Sequence, residues 1–254
     1  MAAGSRLECV LSEAPPRSDA IGAMLPHAPS AVTATGIAGL LGALTLLAGD
    51  LLLYAHWGTM PPVTEAVQSL VSARRAILLA TPEQLRWSSV LGPIAAALYV
   101  VGAWHVFARL RRGSLRWAAV AGALFAIGAI MSGAYHAMWG QYGATLQFAN
   151  THATPPLDLL LHTTGNLQLM HRASEIVAVP LMLILLAMVA LGRGDFPRWT
   201  VISNPILLFG VGTPLLTPLA ADLPVPYGAL LLGGLYNAAM VVFFCTSLLT
   251  VPEC

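Results

Sequence analysis

Long runs of apolar residues alternate with shorter polar segments over most of the chain. An apolar run of about 20 residues is long enough to cross the hydrocarbon core of a bilayer as an α-helix. Hydropathy predicts such helices at residues 32–55, 87–110, 115–139, 174–192, 200–219 and 226–249. The predicted fold is therefore an all-α, polytopic integral membrane bundle of about six transmembrane helices, which occupies residues 31–254 as a single domain.

The segment before the first run is polar and rich in proline. It lacks the apolar centre of a cleaved signal peptide, and we expect residues 1–30 to be disordered. Met24 is an alternative to Met1 as the true start, because nothing between them has the pattern of a folded element.

Two connections between the apolar runs are long, at residues 56–86 and 140–173. Each contains a stretch of mixed apolar and polar residues, Val63 to Leu79 in the first and Leu157 to Met170 in the second. Such stretches are typical of segments that lie on a membrane surface. We expect both connections on the extracytoplasmic side, either on the membrane surface or at the mouth of the bundle.

Orientation follows from the arginines, because short cytoplasmic loops carry an excess of basic residues. The loops after the second and fourth runs share one side of the membrane and are both short. They contain Arg109, Arg111, Arg112, Arg116, Arg193 and Arg198. This side is predicted to be cytoplasmic, which places both the N- and the C-terminus in the cytoplasm.

Composition supports the membrane class, since 57% of the residues are hydrophobic and 9% are charged, against about a quarter charged in a soluble domain. The net charge is +1, Lys is absent and no basic tract suggests nucleic acid. The expected partner is the lipid bilayer. The sequence does not define the oligomeric state. The Ala/Leu-rich, Arg-only composition is typical of bacterial inner-membrane proteins and favours the cell membrane.

Ionisable residues inside a membrane span are costly and are functional candidates by default. Asp50, His136 and Glu175 are such residues, and each lies about 26–30 Å from the Arg-rich boundary at a helical rise of about 1.5 Å per residue. Asp50 shares a helix face with Gly39 and Ala43, which is typical of a face that contacts other helices. We therefore predict that these three ionisable residues are catalytic and belong to a polar cavity opening to the extracytoplasmic side.

Further polar and aromatic side chains are predicted near the same depth, where they are candidates for binding a substrate. They are Tyr54, His56, Tyr135, Trp139, His171, Arg172, Tyr227 and Asn237. An imidazole and a carboxylate in a partly desolvated pocket can exchange protons with a substrate, and aromatic faces can stabilise a cation.

These residues suit an intramembrane enzyme that carries out acid/base chemistry on a hydrophobic small molecule of the lipid or isoprenoid kind. Such an enzyme would be an isomerase, a cyclase or a hydrolase. In architecture alone the chain resembles small helical membrane isomerases and terpene cyclases, with no motif shared residue by residue. Two alternatives remain open: a proton-coupled small-molecule transporter and a non-catalytic membrane assembly partner. Whether the protein is an enzyme is thus unsettled by its sequence.

The cofactor is unknown from the sequence. His136, His171 and Glu175 have the donor types of a zinc or iron site. The spacing of His171 and Glu175 supplies only two ligands, however, and no metal-binding signature is present. We therefore disfavour a metal.

Structural explanations compete with several of these assignments. His56 and His105 each adjoin a tryptophan, which is typical of the aromatic belt at a membrane interface. The prolines of the fifth run predict a broken helix, and Asn237 is a candidate to bind a backbone carbonyl freed there. Alternatively, Asp50 and Glu175 pair with Arg172 or cap the end of a helix.

Overall fold

The computed structural model describes residues 29–64, 67, 68, 72–152 and 157–251. Most of these residues are helical, none of them forms a strand, and six helices are long and apolar enough to span a membrane. The helices are α1 (Pro29–Tyr54), α2 (Pro82–Leu110), α3 (Leu115–Thr151), α4 (Leu157–Ala190), α5 (Pro205–Asp222) and α6 (Val225–Leu249). The predicted polytopic helical bundle is confirmed. Residues 1–28, which make up nearly all of the segment predicted to be disordered, lie outside the described part of the chain.

Two helices begin at residues that hydropathy did not identify, because capping determines where they start. The Thr81 hydroxyl accepts from the Gln84 backbone N–H at 3.2 Å, and the Gln84 side chain accepts from the Thr81 N–H at 2.7 Å. This capping box starts α2 five residues before the predicted span. The Asn204 side chain caps α5 by accepting from the Ile206 N–H at 2.9 Å. The preceding residues Arg198–Ser203 form a short 3₁₀ helix.

Helices α3 and α4 extend well beyond the spans predicted for them. The connection predicted at 140–173 is consequently helical over residues 140–151 and 157–173. Polar side chains such as Gln141 and Gln147 lower the hydropathy of this region without breaking a helix. Hydropathy therefore located the apolar part of each helix and missed the polar extension.

The helices pack in the order α5, α6, α1, α2, α3, α4 around the bundle. Small residues allow the central pairs to approach closely. A Cβ atom added at Gly133 of α3 would lie 2.6 Å from the Cβ of Ala96 on α2, and one added at Gly102 of α2 would lie 2.8 Å from the Cα of Gly39 on α1. Helices α4 and α5 at the two ends of this order touch each other little.

Buried polar contacts join three helices at the Arg-rich end. The ring of His105 on α2 contacts the Val32 carbonyl oxygen of α1 at 2.8 Å and the Ser247 hydroxyl of α6 at 2.6 Å. Arg109 donates to the Asp195 carbonyl oxygen at 2.8 Å and to the Thr250 hydroxyl at 3.0 Å. The start of α1 and the end of α6 thus lie at the same end of the bundle, together with the arginine-bearing loops. His105 is buried between helices instead of lying in an interfacial belt.

The opposite end of the bundle is covered by the segment that follows α1. The covering layer consists of residues 56–64, Val67 and the 3₁₀ helix Ser72–Leu79, which pack on the extension of α3. Gln147 of α3 donates to the carbonyl oxygens of Ile77 at 2.9 Å and Ala80 at 2.7 Å. A second apolar core, separate from that of the membrane-spanning region, lies beneath this layer.

Candidate functional site

A cavity of about 590 Å³ lies inside the bundle, between α1, α3, α4, α5 and α6, with one wall residue from α2. Aliphatic and aromatic side chains form most of its wall. The polar and aromatic residues that line it are Asp50, Tyr54, Tyr99, Phe125, Ser132, Tyr135, His136, Trp139, His171, Ser174, Glu175, Phe209, Tyr236 and Asn237. Its size falls within the range of about 300–1,000 Å³ typical of small-molecule sites.

Three helices bring Asp50, His136 and Asn237 together in the wall of this cavity. The Asn237 side-chain amide donates to Oδ2 of Asp50 at 2.7 Å. Nδ1 of His136 lies 4.0 Å from Oδ1 of Asp50, which is an ion-pair distance but too long for a hydrogen bond. All three residues are buried, with Asp50 only 4% exposed. Asn237 therefore binds the carboxylate of Asp50. The sequence analysis had instead considered it a candidate to bind a backbone carbonyl freed in α5.

The residue before Asp50 is the reason that His136 reaches α1. A Cβ atom added at Gly49 would collide with Nε2 of the His136 ring. Glycine at this position lets the imidazole rest directly against the helix backbone. The position of His136 beside Asp50 thus depends on a missing side chain on α1.

Aromatic rings form a continuous strip along one wall of the cavity. The ring of Trp139 lies edge-on to Tyr54 and Tyr135, at centroid distances of 6.1 and 5.8 Å. The Tyr135 ring in turn lies 5.2 Å from that of His171. This strip, which includes three predicted binding residues on α1 and α3, leads from the buried carboxylate to α4.

Glu175 and His171 lie where the cavity meets the surface. Their side chains are 55% and 46% exposed, and Nδ1 of His171 is 3.7 Å from Oε1 of Glu175. Two other wall residues, Val179 of α4 and Phe209 of α5, are also exposed. The cavity therefore opens at the surface between α4 and α5, two helices that contact each other little.

The opening toward the extracytoplasmic side stays a prediction: His171 lies on the half of α4 that is remote from the Arg-rich loops, and Glu175 lies one turn nearer to them. In that direction Tyr54 and Trp139 are buried in the second apolar core, under the covering layer. Helices α4 and α5 are joined near the start of α5, where Asn204 donates to the Met182 carbonyl oxygen at 3.2 Å. Beyond that contact the two helices leave the lateral mouth between them.

A sequence model of a protein family matches residues 30–253 of the chain, described as a family of unknown function, DUF6796. The chain belongs to the DUF6796 family. The match covers all six helices and every residue of the cavity. No curated protein and no solved structure matches this DUF6796 chain.

Three residues predicted to bind a substrate lie outside the cavity. His56 follows the end of α1, and a ring nitrogen contacts the Leu52 carbonyl oxygen in the last turn of that helix at 2.8 Å. Arg172 is exposed, because the residue after His171 points about 100° away around the helix. Tyr227 is half exposed and lies edge-on to Trp57 at 6.2 Å. Depth along the membrane normal was predicted for these residues, but their direction around the helix was not.

The structure does not show the alternative in which the two acids pair with Arg172. Glu175 pairs with His171 and Asp50 with Asn237. No contact between either acid and Arg172 occurs in the described part of the DUF6796 chain.

One wall residue that sequence reasoning missed is Tyr99 of α2, a helix not expected to contribute to the site. Its hydroxyl is buried and has no hydrogen-bond partner among the described residues, and the same holds for Oδ1 of Asn237. A tyrosine in the middle of an apolar span was the available signal.

The described residues contain no group of three His, Cys, Asp or Glu side chains arranged to hold a metal ion. His171 and Glu175 form one pair and His136 belongs to the Asp50 cluster. The ligand set considered from the sequence is therefore divided between the mouth and the interior of the cavity.

Proposed function

We propose that this DUF6796 protein is an intramembrane enzyme that carries out acid/base chemistry on a lipid-like substrate. The observation that carries the proposal is the buried pair of Asp50 and His136, with side-chain atoms 4.0 Å apart, in the wall of a largely apolar cavity. Asp50 and His136 are the catalytic residues in this proposal.

The shape of the cavity favours a hydrophobic substrate. Its mouth between α4 and α5 faces the bilayer, so a lipid-like molecule has a path into it that does not cross water. The wall is apolar except at a few points, as in sites that orient a hydrophobic ligand through a small number of polar contacts. Glu175 and His171 at the mouth are placed to meet a polar group of such a molecule as it enters.

The chemistry follows from what the buried pair can exchange with a substrate. A carboxylate is a proton acceptor, and an imidazole both accepts and donates protons near neutral pH. The gap of 4.0 Å between them is wide enough for a small polar group of the substrate to contact both. A proton taken from that group by one residue can be returned by the other. Isomerisation, cyclisation and hydrolysis all require such a transfer.

The test is turnover of membrane lipids by the purified protein. The protein in nonionic micelles is incubated with a bacterial lipid extract, and the extract is analysed by mass spectrometry before and after. We expect one lipid species to be depleted and one product to accumulate. Asp50→Asn and His136→Gln are each expected to slow this conversion at least 100-fold, the usual lower bound for general acid/base groups.

Matched controls are available in the same chain. Asp222→Asn and His162→Gln make the same chemical changes at exposed positions outside the cavity, and both should leave turnover unchanged. Turnover that survives in Asp50→Asn and His136→Gln would refute the proposal. Uptake of a solute into liposomes coupled to protons and lost in Asp50→Asn, without lipid turnover, would show a carrier instead.

A further inference from the structure

We infer that the ligand of the buried cluster is an amphiphilic amine, with its protonated head held by Asp50, Asn237 and Tyr99 and its chain directed to the mouth between α4 and α5. The inference rests on the proposed function, because it assigns a substrate class to the same cavity. The inference is carried by the buried carboxylate of Asp50 together with acceptor atoms that have no partner among the described residues. The cavity wall around them contains no basic residue other than histidine.

Three oxygen atoms around Asp50, Asn237 and Tyr99 have acceptor capacity that the described residues do not use. Oδ1 of Asp50 is 4.0 Å from the nearest ring nitrogen of His136 and its other oxygen is bound by Asn237. Oδ1 of Asn237 and the hydroxyl of Tyr99 have no partner among the described residues, although both side chains are more than nine-tenths buried. An ammonium group brings three N–H donors and no acceptor. Its donors are therefore of the type that carboxylate, amide and phenolic oxygen atoms accept.

Charge favours the same class of ligand. The residues that line the cavity include two carboxylates, Asp50 and Glu175, and neither Arg nor Lys. A carboxylate buried in a membrane protein is costly unless a cation accompanies it. A cationic head would supply that partner, whereas a phosphate or carboxylate head would add a like charge beside Asp50.

The surroundings of the cluster favour an organic cation over a metal ion. A cavity of about 590 Å³ is far larger than an inorganic ion needs and falls in the size range of organic-ligand sites. The rings of Tyr54, Tyr135 and Trp139 present π-faces and edges along one wall, and aromatic faces attract cations. The remaining wall is apolar and suits an alkyl chain.

Once bound, the ammonium group would lie next to His136, whose Nδ1 faces Asp50. Transfer of one ammonium proton to the imidazole or to the carboxylate would leave a neutral amine in the cavity. This is the acid/base step of the proposed function, now located on the nitrogen of the substrate.

The experiment uses the full chain in nonionic micelles and four probes. Three are amphiphiles of the same chain length, hexadecylamine, hexadecanol and hexadecanoic acid, and the fourth is sodium ion without amphiphile. Binding is followed as the rise in the thermal unfolding midpoint with probe concentration. Hexadecylamine should bind at least tenfold more tightly than hexadecanol. Asp50→Asn should weaken amine binding about 10- to 100-fold, the loss expected for one charge-assisted hydrogen bond, and Asp222→Asn should not.

Equal binding of amine and alcohol to the unmodified protein would overturn the inference, and this comparison does not depend on the folding of any variant. A midpoint raised by sodium and not by amine would overturn it in favour of an inorganic cation site. Turnover of a neutral lipid, lost in Asp50→Asn but without amine preference, would overturn the inference and leave the proposed function standing. Amine binding that depends on Asp50, in a protein that turns over no lipid, would support the inference and refute the proposed function.

Discussion

Replacing Asn237 by leucine tests whether the buried cluster is held together as described. The side-chain amide of Asn237 donates to Asp50 at 2.7 Å, and both groups are buried. Leucine has the same number of side-chain heavy atoms, branched at the same carbon, so the substitution removes the hydrogen bond without opening a void. The carboxylate then loses the only donor that contacts Oδ2 in the described part of the chain.

The expected magnitude distinguishes a charged acceptor from a neutral one. Interhelical hydrogen bonds in membrane proteins contribute about 0.6 kcal/mol on average, whereas hydrogen bonds to charged groups contribute about 1.5–3 kcal/mol. We expect Asn237→Leu to lower the free energy of unfolding by about 2 kcal/mol. In an Asp50→Ala background the same substitution should cost about 0.5 kcal/mol or less, because no carboxylate is left to satisfy.

The assay is a double-mutant cycle in which unfolding in mixed micelles is followed by tryptophan fluorescence as denaturing detergent is added. The coupling free energy between positions 50 and 237 should be about 1.5 kcal/mol. Additive effects of the two substitutions, within about 0.3–0.5 kcal/mol, would refute the reasoning. Such a result would mean that Asp50 and Asn237 do not contact each other in the membrane protein.

Two further predictions concern packing and the Arg-rich end. Gly133→Ala should destabilise the protein by about 1–3 kcal/mol, since overpacking a close contact has that cost, and its new Cβ atom would lie 2.6 Å from that of Ala96. Gly210→Ala, which meets no atom within 4 Å, is the control and should be neutral or slightly stabilising in the same unfolding assay. Arg109→Met should lower the unfolding midpoint by the equivalent of about 2 kcal/mol, because it removes buried hydrogen bonds from a charged group. Arg112→Met should cost less than about 1 kcal/mol, because its ion pair is exposed, and equal effects of the two arginine variants would contradict the described burial.

The membrane spans were predictable because each is an apolar run long enough to cross a bilayer, whatever its neighbours are. The starts of two helices were missed for a local reason that the sequence does contain. Thr81 with Gln84 is a capping-box pair, and Asn204 before Pro205 is a cap before the first helical turn. Attention to capping in addition to hydropathy would have placed both starts.

The candidate site was predictable only in part. The small residues Gly39 and Ala43 on the face of Asp50 indicated that this carboxylate points into the bundle, and it is buried there. Its hydrogen bond to Asn237 joins the first helix to the last, and no local pattern reports such a pairing. Arg172 was included because its depth was considered without its direction around α4.

The lateral mouth was beyond prediction for a different reason. It exists because α4 and α5, although neighbours in sequence, pack on other helices over most of their length. Apolar residues line both the mouth and the lipid-facing surface, so hydropathy does not distinguish them. Only the packing of the helices shows that the wall of the cavity is open on this side.

The central claim is that the cavity behind α4 and α5 receives an amphiphile whose polar end lies at Asp50, His136 and Asn237. The most direct test is an experimental structure of the full chain in lipid nanodiscs that contain an added long-chain amine. The account predicts elongated density that enters between α4 and α5 and ends within hydrogen-bonding distance of the Asp50 carboxylate. A structure in which the amine lies only on the outer surface of the bundle, or in which Asp50 and His136 face different compartments, would contradict it.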